Sequence, residues 1–396
     1  MSTYFQIVCH FYVRHSCFSI IYFNIFRTTL KMILSKYPSL VQQEILENLN
    51  NIDLLFLSFA SKKMKKLIKS TQMNRFKSIN SIGYYCDSTD QIWVLMNKSS
   101  ANVCFSYRGR GRFMRIVVHS ETENDYFQSN VSGKIIDFRF EYEYCLAFYR
   151  QPEKESVIKS IHNYFLDYFG SSVEYHWRAG DLTEYSRRKG HNPFIPPLRN
   201  VSFCVNTSLN WDFANMEQVE TFFSSSPIFK SIRMNAIEIT EPLNPESKFY
   251  QADSIEIHQD KVTVPAVLRH FQGRQAIINC NEYKTSDLIE FLIRWKSGEA
   301  FQKLEYLKIE MGRTPRVRFL NAIRLKYIDE TKQPPTHSLP KIYDWYGRIK
   351  HTESITSHKY VVRATDNRVA SIKVRREILW FGVWDKTEEE FLRIMD

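Results

Sequence analysis

Residue types that commonly bind metals or attack substrates occur in this sequence, but their spacing matches no catalytic or metal-binding pattern. The eleven histidines are scattered, and His351 and His358 stand in a polar stretch with no evident metal-binding partner. The motifs H-E-x-x-H, G-x-S-x-G and the P-loop are all absent. We therefore expect no catalytic residue, no metal, no cofactor and no enzymatic activity.

The cysteines support the same conclusion and also bear on the cellular compartment. Their number is odd, and none belongs to a C-x-x-C pair: Cys9, Cys17, Cys86, Cys104, Cys145, Cys204 and Cys280. Such spacing is typical of neither a disulfide framework nor a zinc module. Reduced thiols favour a cytoplasmic or nuclear protein.

Basic side chains are the remaining groups that could bind a ligand, since lysine and arginine attract nucleic-acid phosphates. Residues 1–80 hold eleven of them against three acidic residues, so +8 of the +11 net charge lies there. The densest group is Lys62, Lys63, Lys65, Lys66 and Lys69. A lysine run of this kind is usually a solvated helix face. The arginine–glycine repeat Arg108–Arg112 invites an RNA-binding interpretation, but an exposed hairpin turn is favoured.

The length and composition indicate a globular protein of more than one domain. The chain has 396 residues, of which 43% are hydrophobic and 24% charged. Residues 1–31 form an apolar N-terminal extension, whose segment 4–26 has nearly the length of a membrane span. Arg14 and His15 interrupt that segment, so we favour a strand or a packed extension over a membrane anchor.

Three short helices are predicted between residues 37 and 69. Ser39 and Gln42 have the spacing of a capping box at the start of the first helix, after Pro38. The second helix covers residues 52–59, and the third begins near Ser61 with its lysines directed outward. So much apolar surface on three helices requires the rest of the chain or a partner protein to cover it.

This segment resembles an F-box. The matching residues are Pro38, Val41, Ile45, Leu46, Leu49, Asp53, Leu54, Leu55, Leu57, Ser58, Ser61 and Lys62, while Tyr37 and Met64 depart from the family pattern. In that family the helices bind the Skp-type adaptor of a Skp–cullin–F-box (SCF) ubiquitin ligase. The resemblance implies an adaptor-binding role for Pro38, Val41, Ile45, Leu46, Leu49, Leu54 and Leu57.

The rest of the chain is predicted to be rich in β-structure and then to alternate strands with helices. Short strand-like runs at 82–86, 92–96, 103–107, 114–118, 134–140 and 145–149 suggest an antiparallel meander. Strand cores at Ile232, Ile255, Ile278 and Leu307 follow at intervals of 23, 23 and 29 residues. Helix–strand units of that length are typical of leucine-rich-repeat-like stacking, although the repeat is degenerate.

The stretch 249–312 resembles a second family, the type 2 F-box-associated domain. The residues that carry this resemblance are Asn281, Leu288, Phe291, Leu292, Trp295, Leu304, Leu307 and Ile309. In that family the domain is taken to capture the substrate. Apart from Asn281, these positions are apolar at core spacing, so we expect them to hold the fold.

Together these observations predict an α+β protein: a three-helix F-box, a β-rich region and an α/β leucine-rich-repeat-like body. We expect the extension at 1–31, the F-box at 32–75, the β-rich region at 76–150 and an F-box-associated substrate-recognition domain at 151–396. The predicted function is substrate recognition for an SCF ubiquitin ligase in protein degradation. Its partners would be a Skp-type adaptor, through it a cullin, and a protein substrate whose binding residues the sequence does not identify. The alternative is a basic RNA- or membrane-associated scaffold.

Overall fold

The computed structural model describes thirteen stretches of the chain. They are residues 37–86, 91–98, 112–119, 126–141, 144–179, 194–209, 216–236, 242–259, 263–280, 284–311, 320, 322–345 and 350–395. The apolar segment 4–26, the strand expected at 103–107, most of the arginine–glycine repeat and Asn281 lie outside them.

In the described residues four helices precede the first strand: α1 (Ser39–Glu47), α2 (Asn51–Ala60), α3 (Lys62–Thr71) and α4 (Met73–Lys77). The later helices are α5 (Lys154–Phe169), α6 (Met216–Ser225), α7 (Thr263–His270), α8 (Thr285–Ser297) and α9 (Glu388–Arg393). The three predicted N-terminal helices are present, and α4 follows them.

The strands are β1 (Ile79–Cys86), β2 (Ile92–Lys98), β3 (Arg112–Val118), β4 (Phe127–Val131), β5 (Lys134–Phe140), β6 (Cys145–Tyr149), β7 (Glu174–Ala179), β8 (Val201–Leu209), β9 (Ser231–Ala236), β10 (Ser254–Gln259), β11 (Gln275–Cys280), β12 (Tyr306–Met311), β13 (Lys326–Tyr327), β14 (Thr336–His337), β15 (Ile355–Thr356), β16 (Lys359–Val362), β17 (Arg368–Arg375) and β18 (Ile378–Thr387). In the described part of the chain, sixteen of these form one sheet, and β14 pairs with β15 separately. The protein is therefore a mixed α+β structure with N-terminal helices followed by a large sheet.

The centre of the sheet is parallel. Its order is β13-β16-β17-β18-β12-β11-β10-β9-β8-β7-β1-β2-β3-β6-β5-β4, and every neighbouring pair from β12 to β1 is parallel. From β7 to β12 each strand pairs with the next one in the chain, as stacked strand units require. The leucine-rich-repeat-like assignment itself remains a prediction.

The expected single antiparallel meander over residues 80–150 is wrong. Strands β1–β2–β3 and β4–β5–β6 are antiparallel sets, but β3 and β6 join them as a parallel pair. All five residues of β6 are buried. A strand buried on both faces belongs inside a sheet, which leaves the β4–β5 hairpin at the edge.

One face of the parallel sheet packs against helices. Val205, Ile232, Ile255, Ala276 and Leu307 lie side by side on that face and are all buried. Phe381 continues the row on β18, and its ring lies 5.0 Å from Trp295 and 5.3 Å from Phe291 of α8. The next residue on each strand points the other way. Arg233, Glu256, Ile277 and Lys308 lie side by side on that opposite face, which is mainly polar.

Candidate functional site

The start of α1 presents apolar side chains to solvent. Leu40 is 78% exposed, Tyr37 41% and Val41 40%. Pro38 is exposed beside them. Within the described stretches, these apolar side chains form an exposed group at the start of the helix.

The structure distributes the seven residues expected to bind an adaptor among three environments. Pro38 and Val41 are exposed, and Ile45, Leu49 and Leu57 are partly buried against the core. Leu46 and Leu54 are completely buried. Those two leucines belong to the hydrophobic core of the described residues. Adaptor binding by all seven residues remains a prediction.

Leu40 was missed because it stands on the polar side of α1. Its helical neighbours at three, four and seven positions onward are Gln43, Glu44 and Glu47. The apolar stripe of Val41, Ile45 and Leu49, which the F-box resemblance includes, does not contain Leu40. A single leucine among polar neighbours is the signal that could have revealed this residue.

The predicted capping box at the start of α1 is wrong. Pro38 occupies the N-cap position with an extended backbone, and no side chain caps the helix. The Pro38 carbonyl already accepts from the Gln42 amide at 3.0 Å, which places Ser39 inside the helix. The Gln42 side chain instead donates to the Tyr37 carbonyl at 2.7 Å. Side-chain caps are present on α2, from Asn50, and on α3, from Ser61.

Aromatic packing attaches α2 to the rest of the protein. The Phe56 ring lies 5.4 Å from Phe127 and 5.8 Å from Phe138, on strands β4 and β5. The Phe59 ring lies 4.8 Å from Tyr164 of α5. Such pairs contribute about 0.5–1.5 kcal/mol each beyond the area that they bury. The N-terminal helices therefore pack on the sheet and α5 through an apolar interface.

Charged groups join α3 to α5 at the edge of that interface. The ammonium groups of Lys65 and Lys69 both bind the carboxylate of Asp167, the latter at 3.1 Å. The hydrogen bond from Lys65, reinforced by Lys69, holds the pKa of Asp167 below its ordinary value. Because Asp167 is largely exposed, solvent limits the contribution of these pairs to stability.

A second surface is the polar face of the parallel sheet. Arg233 and Glu256 are neighbours on β9 and β10, with Nε and Oε1 3.5 Å apart. On the following strands Asn279 donates to Glu310 at 3.3 Å, and Lys308 binds Glu353. The side chains of His258 and Glu310 are each 37% exposed. This ladder of mixed charge suits recognition of a polar protein surface.

The described cysteines are not suited to nucleophilic chemistry. Cys86, Cys145, Cys204 and Cys280 are free and buried. Burial raises the pKa of the Cys204 and Cys280 thiols to about 12 in each case, so they are protonated at neutral pH.

The described ranges contain neither a metal-binding cluster nor a membrane-spanning helix. No group of three histidine, cysteine, aspartate or glutamate side chains is placed to hold a metal ion there. No helix in those ranges is long and apolar enough to cross a membrane.

Comparison with known proteins identifies the N-terminal helices. Residues 38–76 match the family model of the F-box domain. The match runs from the N-cap of α1 nearly to the end of α4, and it contains Leu40 and Val41. No curated protein and no solved structure matches the chain.

F-box domains typically bind Skp-type adaptors, and their general role is that of a protein-interaction module in SCF complexes. F-box proteins are generally adaptors without catalysis of their own.

Proposed function

We propose that this protein is a substrate-recognition subunit of an SCF ubiquitin ligase. Helices α1–α4 bind a Skp-type adaptor and through it a cullin, and the sheet with its later helices binds a protein substrate. The observation that carries this proposal is the exposed apolar group at the start of α1, within the segment that matches the F-box family. Among the described residues this group stays exposed, and it lies within the segment where such a domain binds its adaptor.

The attachment between the two parts supports a mechanism based on proximity. Aromatic rings, a buried hydroxyl pair and two lysine–aspartate pairs connect α2 and α3 to α5 and the sheet. A substrate bound to the sheet would then be held at a defined distance from the ligase machinery. Such tethering raises the effective concentration of its lysines near the ubiquitin thioester without any new contact.

The polar face of the parallel sheet is our candidate for the substrate-binding surface. Its opposite face is covered by helices. Residues 337–345 and 350–356 cover part of the polar face, where Gln275 donates to the Pro340 carbonyl and Lys308 binds Glu353, but the side chains of His258 and Glu310 remain partly accessible. This choice agrees with two hypotheses from the sequence: leucine-rich-repeat-like stacking, and an F-box-associated domain over residues 151–396. Both remain hypotheses.

Reconstitution with a purified Skp-type adaptor and cullin tests the ligase role. We expect the intact chain to co-elute with both proteins, and the variant Leu40→Asp/Val41→Asp to elute alone while remaining folded. Acidic residues in the first turn of a helix are favourable, so this change does not weaken α1. The control Ile228→Asp/Ile293→Asp alters two exposed isoleucines elsewhere and should bind like the wild type. Failure of the folded intact chain to bind the adaptor would refute the proposal.

A further inference from the structure

A cleft of about 830 Å³ is lined by α3 and α5, which the lysine–aspartate pairs connect. Helix α3 forms one wall of the cleft, and the C-terminal half of α5 forms the other. Asn130 at the end of β4 and Ser132 and Gly133 in the turn after it also line the cleft. The volume falls within the range of small-ligand and peptide sites in proteins. The exposed residues of α1 do not line it, so the cleft is a separate surface.

The cleft is strongly basic. Its lining contains five lysines, Lys62, Lys65, Lys66, Lys69 and Lys77, against one acidic residue, Asp167. Asp167 binds Lys65 and Lys69. Within the described stretches, no acidic side chain pairs with Lys62, Lys66 or Lys77. Like charges gathered in a concave site focus the field and attract an anionic ligand.

The floor of the cleft is aromatic, and four of its five described rings are nearly closed to solvent, whereas Phe59 is partly buried. Phe76 and Phe169 are 6% exposed, Tyr164 is 5% exposed and Tyr168 is 1% exposed. The Lys65 ammonium group lies 3.7 Å above the Tyr164 ring and covers it further. Single-stranded nucleic acid is held by bases that stack on accessible aromatic faces. The buried floor therefore favours a ligand with negative side chains and a narrow backbone.

We propose that this cleft binds an acidic peptide segment, whose carboxylate or phosphate groups contact Lys62, Lys66 and Lys77. Lysine suits this role because its ammonium group acts as a mobile point charge and does not require one ligand geometry. Asp167 then sets the affinity, because it neutralises part of the charge on the α3 wall. Binding at this site does not require the adaptor, so it goes beyond the function proposed above.

Fluorescence anisotropy of a labelled oligoglutamate peptide with the full-length protein tests the site. A phosphoserine peptide of equal charge distinguishes phosphate from carboxylate as the preferred group, and oligoglutamine is the neutral reference. We expect the acidic peptides to bind, oligoglutamine not to bind, and affinity to fall as salt is added. No binding of either acidic peptide at low salt would overturn the proposal.

Matched variants separate the cleft from the general positive charge. Lys62→Glu/Lys66→Glu reverses two cleft lysines and should weaken binding by about tenfold or more. Lys63→Glu/Lys159→Glu makes the same change at exposed positions outside the cleft and should change affinity by less than about twofold. Asp167→Asn removes the competing carboxylate and should strengthen binding. Equal losses in the two double variants would contradict a defined site.

Two further measurements bear on the cleft and on the class of ligand. Ser70→Trp adds bulk to the α3 wall without changing charge, so it should weaken binding if the peptide enters the cleft. Leu40→Asp/Val41→Asp should leave peptide binding unchanged, which keeps this result independent of adaptor binding. Single-stranded RNA should compete weakly. Competition by RNA at lower concentration than the phosphoserine peptide would reject a peptide site.

Discussion

The hydroxyl oxygens of Ser58 and Tyr164 lie 2.7 Å apart in the buried interface between α2 and α5. Ser58 also donates its hydrogen to the Leu55 carbonyl, so the Tyr164 hydroxyl is the donor in this pair. Burial raises the pKa of Tyr164 above its ordinary value, which keeps that proton in place. This hydrogen bond joins the F-box helices to the rest of the chain.

Replacing Tyr164 by phenylalanine should weaken that attachment. The variant leaves the buried Ser58 oxygen without its donor, and an unsatisfied buried acceptor costs about 1–3 kcal/mol. We expect the midpoint of urea unfolding to fall. The control Tyr327→Phe removes a hydroxyl from an exposed tyrosine and should leave the midpoint unchanged. An unaltered midpoint for Tyr164→Phe would show that the pair does not stabilise the interface.

His162 predicts how stability depends on pH. Its Nε2 lies 2.7 Å from the Arg199 carbonyl, which only accepts, so Nε2 carries the proton and Nδ1 accepts from Tyr84 at 2.9 Å. Burial lowers the pKa of His162 below its ordinary value of 6.5. The unfolded chain therefore takes up a proton more readily than the folded protein. The contribution of neutral His162 to stability is fully present above pH 6.5, and it is lost as the pH falls below that value.

Urea unfolding at pH 7.5 and at pH 5.5 measures this effect, both pH values being chosen about one unit from the ordinary histidine pKa. In His162→Gln the loss of stability over this interval should be smaller than in the wild type. Some loss will persist, because burial also lowers the pKa of His337. The control Leu40→Ala, at an exposed position without a titratable side chain, should retain the wild-type dependence. An equal loss in wild type and His162→Gln would contradict the assignment.

Leu46 and Leu54 should behave as core residues. Both are completely buried, and replacing a buried leucine by alanine costs about 2–5 kcal/mol. We expect Leu46→Ala and Leu54→Ala to lower the unfolding midpoint markedly. Leu40→Ala, at a largely exposed position, should change the free energy of unfolding by less than about 0.5 kcal/mol. A large loss of stability in Leu40→Ala would place that residue in the core.

The sequence predicted the N-terminal helices and the strand cores because their patterns are local. The helices end at polar breaks such as Asn50, and each strand core alternates at a period of two residues. The sequence pattern could not distinguish buried from exposed apolar residues along α1. Val41, Ile45, Leu46 and Leu49 form one apolar stripe, and only tertiary packing in the core buries Leu46 completely.

Two other features depend on contacts distant in the sequence. The parallel pairing of β3 with β6 joins Met114 to Cys145, and no pattern within either strand specifies its neighbour. The basic cleft exists because α3 lies beside α5, which brings Asp167 to Lys65 and Lys69. The sequence predicts a solvated helix face for those lysines, because Asp167 on the opposite wall of the cleft follows Lys65 by 102 residues.

The affinity of the purified full-length protein for a Skp-type adaptor, wild type against Leu40→Asp, tests the central claim most directly. We expect the wild type to bind and the variant to bind at least about tenfold more weakly, a difference of about 1.4 kcal/mol, because binding would bury an unpaired carboxylate. The control Ile228→Asp should match the wild type. Equal affinity of Leu40→Asp and wild type, or no binding by either folded protein, would contradict an adaptor-binding surface at the start of α1.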